Sequence, residues 1–65
     1  MLMQLQAATN KARTATGDQH IGTRVARGLV DVVRAVPAAR GTYTVTVLRA
    51  GLTPAQAVKH LESMH

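Results

Sequence analysis

His20, His60 and His65, with Asp18, Asp31 and Glu62, are the side chains of this chain whose types could do chemistry. Imidazoles can ligate a metal or move a proton, and carboxylates can share either task. Both uses need several such groups to converge. Glu62 is the only acid near His60, and their spacing is not the i, i+4 step that sets two ligands on one helix face. The three acids are far apart in sequence, and each has a capping or ion-pairing use. Ser63 is the single serine and falls at the end of the last helical pattern. Gly41 and Gly51 suit turns rather than a phosphate-cradling loop. With no cysteine, neither a thiolate nucleophile nor a thiolate zinc site is available. These residues point to no enzyme, no metal site, no cofactor and no small-molecule substrate.

Charge carries the stronger signal. Eight Lys and Arg face three acids, for a formal charge of +5 over 65 residues. Such a balance suits an acidic partner. The stretch Asp18 to Val36 gives that idea a shape, because Ile21, Val25, Leu29, Val32 and Val36 recur at steps of three or four. This is the helical period, and it places them on one face. Arg24, Arg27 and Arg34 then fall on the opposite face, with Asp31 spaced between them. A membrane-surface role fits poorly, since Gly22 and Gly28 interrupt the helix and interfacial Trp and Phe are absent. Single-strand or RNA binding needs stacking platforms, and Tyr43 is the only aromatic residue. DNA or an acidic protein surface remain as partners.

The elements that would position these groups follow from local pattern. Residues 2–14 read as a short helix with Leu2, Leu5, Ala8 and Ala12 on one face. Thr16-Gly17-Asp18-Gln19 has the form of a capping box opening the second helix, and Pro37 ends that helix. Gly22, beside its apolar face, would allow close approach of another helix. Pro37 to Gly41 is a connector. Thr42 to Leu48 alternates, with Tyr43, Val45 and Val47 on one face and threonines on the other, and is the one strand signal. Arg49-Ala50-Gly51 turns the chain. Thr53-Pro54-Ala55-Gln56 is a second capping box, with Pro54 at the first helical position and Leu52 and Ala57 placed as a hydrophobic staple. The last helix runs to about Ser63.

The expected fold is α+β, a single domain over residues 1–65, mostly helical, in the order helix, helix, strand, helix. A chain this short buries only about 60% of its unfolded surface. Without Phe or Trp its core must come from Ala, Val, Leu, Ile and Met. A lone strand also needs a ladder partner, from an N-terminal segment, a second chain or another protein. A homodimer in which the strand pairs across two chains, with Tyr43, Val45 and Val47 at the interface, would answer both needs. The N-terminus makes a poor signal peptide, and no run approaches the roughly 20 apolar residues of a membrane span, so a cytoplasmic protein is expected. The Ala, Arg, Val, Thr and Gly bias suits a bacterium or bacteriophage with a G+C-rich genome.

The string Ala50 to Leu61 is similar to the turn and second helix of a helix-turn-helix: Gly, an apolar residue, a capping Thr, then a helix exposing Gln56, Lys59 and His60. The segment before it reads as strand, however, and the apolar position of the second helix is only Ala57, so no family resemblance is drawn. The leading expectation is a small DNA-binding transcriptional regulator acting as a dimer, with Arg24, Arg27, Arg34 and Arg49 on phosphates and Gln56, Lys59 and His60 near the groove. The alternative is a small non-enzymatic inhibitor or adaptor, of bacterial or phage origin, docking through the Arg-rich helix and the strand.

Overall fold

The computed structural model describes residues 2–65, the side chain of Leu2 excepted, so the place expected for Leu2 on an apolar helix face lies outside the described residues. The order is helix α1 (Leu2–Thr16), strands β1 (Ile21–Ala26) and β2 (Leu29–Pro37), a 3-10 turn (Ala39–Gly41), strand β3 (Tyr43–Leu52) and helix α2 (Pro54–Glu62). The strands form an antiparallel sheet in the order β1-β2-β3. Both helices lie on one face of it. The fold is α+β, but with 41% helix and 40% strand it is not mostly helical. None of the described helices is long and apolar enough to cross a membrane.

The largest correction concerns residues 18–36, where a hairpin replaces the expected amphipathic helix. Ala26 pairs with Leu29, leaving Arg27-Gly28 as a two-residue loop. Both have positive φ, 56° and 74°, as a type I′ hairpin turn requires. A helix would have to hold Gly28 in its interior and a run of β-branched residues around it, both unfavourable. In the hairpin the β-branched side chains stand on a pleated surface that suits them. Every second residue counts instead: Val30 and Val32 are fully buried, whereas Val25 and Leu29 of the supposed helical stripe are about half exposed.

Thr16-Gly17-Asp18 closes a helix rather than opening one. Gly17 takes φ 73°, and its N–H donates to the Arg13 carbonyl, so it ends α1 in the left-handed manner typical of helix C-termini. The Thr16 hydroxyl donates to the Ala12 carbonyl and accepts from the Asp18 N–H.

β3 is longer than expected and is not a lone strand. It pairs with β2 from Val30↔Leu52 to Pro37↔Tyr43 within the same chain, so its ladder partner is intramolecular and not the strand of a second copy as expected. Register shifts between Val30 and Val33 place extra residues on β3, and these bulges carry the strand through Arg49-Ala50-Gly51, where a turn was expected. α2 begins with the capping box in place: the Gln56 N–H donates to the Thr53 hydroxyl, and the Gln56 side-chain oxygen accepts from the Thr53 N–H at 2.9 Å.

The core lies between sheet and helices in two groups. Ala8 and Ala12 of α1, Ile21, Val32 and Leu61 of α2 form one, and Leu5, Val30 and Ala57 the other, with half-buried Leu52 and Val58 against both. Alternation and pairing assign the opposite sheet face to Gly22, Arg24, Ala26, Leu29, Asp31, Val33, Ala35, Pro37, Tyr43, Val45 and Val47. Among the described residues, no helix covers that face.

Candidate nucleic-acid interface

The expected guanidinium stripe is broken up by the hairpin. Arg24 lies on the open sheet face and donates to Asp31 at 3.1 Å. Arg34, opposite Ile21, projects on the helix side and donates to Asp18 at 2.7 Å. Arg27 is at the tip of the β1–β2 turn. Two of the three are thus committed to acids, and the three do not form one surface.

Each of these carboxylates ties strands or loops together. Asp31 accepts from the Gly51 N–H at the β3 bulge and from Arg24 of β1, so one side chain on β2 holds both neighbouring strands. Asp18 accepts from the His20 N–H and from Arg34. These bonds favour the anions. The Asp31 carboxyl is held below its ordinary value first by the Gly51 N–H and then by Arg24; that of Asp18 first by the His20 N–H and then by Arg34. The stabilisation is therefore complete above the unfolded carboxylate pKa of about 4 and is lost as pH falls through the lower folded values. The thermal midpoint should drop on acidification below about pH 4. The double variant Asp18→Asn/Asp31→Asn should start lower and fall less steeply. Parallel curves for the two proteins would refute this link.

Other expected residues do converge. Arg49, Gln56, Lys59 and His60 line one open groove of about 330 Å³ between β3 and α2, with Leu52 and Ser63. Arg49 reaches it because its partner across the sheet is the buried Val32, which sets both on the helix side. Gln56, Lys59 and His60 follow one another at steps of three and one along α2, on the flank that faces β3. The Gln56 oxygen is used by the capping box, which leaves its amide nitrogen for a partner. Lys59 and His60 also lie in the last turn of α2, where positive charge suits the helix dipole.

Among the described residues, no Asp or Glu lines this groove. Asp18 and Asp31 are engaged elsewhere, and Glu62 faces the separate groove between α1 and α2, together with Lys11. Among the described residues, no three His, Asp or Glu side chains converge as a metal site would need. The helix-turn-helix likeness of Ala50 to Leu61 does not extend to the fold, because β3 occupies the place of the first helix. Tyr43, Val45 and Val47 share the open sheet face, away from the groove. Val33, whose neighbour on that face is Val47, was missed from sequence; the alternation of Val33 with Ala35 was the signal. Compared with known protein families, curated proteins and solved structures, the chain matches none.

Proposed function

We propose that the protein is a small DNA-binding regulator, working in the cytoplasm, whose phosphate-contacting surface is the groove between β3 and α2. The observation that carries this reading is the convergence of Arg49, Lys59, His60 and the Gln56 amide on a groove without a lining acid. Phosphate contacts supply most sequence-independent affinity for a duplex, and Arg and Lys are the residues that make them. Arg27, held out at the hairpin tip, adds a further cation. Arg24 and Arg34 contribute less, since each faces its own carboxylate at hydrogen-bonding distance.

The test is fluorescence anisotropy of a labelled duplex across a salt series. Wild-type protein should bind at about 50 mM salt, with affinity falling steeply as salt rises. Arg49→Ala/Lys59→Ala should flatten the log–log salt slope by about 2, roughly one unit per lost contact. Arg24→Ala/Arg34→Ala should change it far less. Absence of binding by the wild type at ~50 mM salt, where phosphate-driven association is strong, would overturn the reading. The groove would then belong to an acidic protein surface, as in an inhibitor or adaptor.

A further inference from the structure

The open face of the sheet is the least explained surface of the molecule. Val33 on it is only 6% exposed, yet it belongs to neither core group. Around it Val45 and Val47 are 47% and 46% exposed, and Tyr43 is 64% exposed. Among the described residues, the only charged side chains on this face are Arg24 and Asp31, which are paired. We propose that this face is covered by the same face of a second copy of the chain, the two related by a two-fold axis. The product is a sandwich of two three-stranded sheets with both helix layers outward.

Three observations select a second copy as the occupant. The first is area. A monomer of 6.9 kDa should expose about 4,000 Å², whereas this chain exposes 4568 Å². The excess is roughly 570 Å² per chain, and removing that much from each of two copies would bury about 1,100 Å², close to the lower limit of specific interfaces.

The second is charge. The chain carries +5, and two copies repel each other through most of their surfaces. The sheet face has one cation and one anion, so it is the side on which two copies meet without net repulsion. The third is self-complementarity. A two-fold contact uses one patch twice, and a face of alternating Val, Ala and Tyr with a single ion pair can meet itself in the aligned packing common to sheet sandwiches. The basic groove lies on the far side of the sheet, so the proposal does not depend on the nucleic-acid reading.

Sedimentation equilibrium over a concentration series tests it. Wild-type protein should show a mass of twice 6.9 kDa. Val45→Asp should weaken self-association by about 100-fold or more, since it buries an unpaired charge, while keeping the wild-type circular dichroism spectrum. Tyr43→Glu, at a more exposed position of the same face, gives the same reading should Val45→Asp fail to fold. Thr44→Glu, which points to the other side of β3, should leave the dimer intact. A wild-type monomer at all concentrations overturns the proposal. So does a dimer that folded Val45→Asp or Tyr43→Glu leaves unchanged.

Discussion

Leu61→Ala is expected to lower stability by about 2–5 kcal/mol, the range found for truncating a fully buried leucine. Leu61 is completely buried on α2 and meets Ala8 and Ala12 of α1, Ile21 of β1 and Val32 of β2. It is the large buried side chain that α2 contributes to that group, as Ile21 is the one from β1. Its alanine neighbours cannot move in to fill the space, because they are short and fixed to a helix backbone. A core of this size supplies only about 3–5 kcal/mol in total, so the variant should lose much or all of its stability margin at room temperature. Urea titration followed by circular dichroism at fixed protein concentration reads this directly. A midpoint close to that of the wild type would show that Leu61 does not hold the layers together.

The opposite change at the neighbouring site should also be costly. Ala57 is fully buried between Leu5 and Val30, where α2 crosses the sheet beside α1. Ala57→Leu inserts a branched side chain where the elements are already in contact, and overpacking of this kind costs about 1–3 kcal/mol. Ala55→Leu on the exposed side of the same helix is the control and should stay within about 0.5 kcal/mol of wild type. If both leucine variants unfold at the same urea concentration, the close approach of the layers at Ala57 is not limiting.

What could be read from the sequence was whatever is specified locally. The Thr53-Pro54-Ala55-Gln56 capping box names its own helix start, and the structure forms both of its hydrogen bonds. Residues 21–36 were different, because two periods overlap there. Ile21, Val25, Leu29, Val32 and Val36 satisfy a helical count, while Val30 and Val32 satisfy a strand count. The deciding feature was a two-residue turn made by Arg27-Gly28. Its first position is commonly Asn or Asp, residues that tolerate positive φ better than Arg does, so the usual hairpin signature was missing. With that segment read as a helix, an N-terminal segment, a second chain or another protein is left to partner the strand at Thr42 to Leu48, and the pairing with β2 stays hidden.

The candidate site follows the same division. Gln56, Lys59 and His60 were legible as one surface because a well-marked helix carries them. Arg49 joins them through β2–β3 pairing, which no local pattern announces. Arg24, Arg27 and Arg34 were grouped by a helix that does not form, and the hairpin sends them to three different places.

The meander and the helix layer also differ in how far apart in sequence their contacting residues are. The turns that join β1 to β2 and β2 to β3 are short, so the sheet can zip from neighbouring segments. Leu61, in contrast, must find Ala8 and Ala12 across nearly the whole chain. Long closures are entropically costly and late. During synthesis α1 is available to cover part of the sheet from the start, but the share of cover over Val30 and Val32 that Ala57 and Leu61 supply is missing until α2 has been made. The order of assembly leaves the inner face of the sheet as the surface that a newly made chain must protect longest.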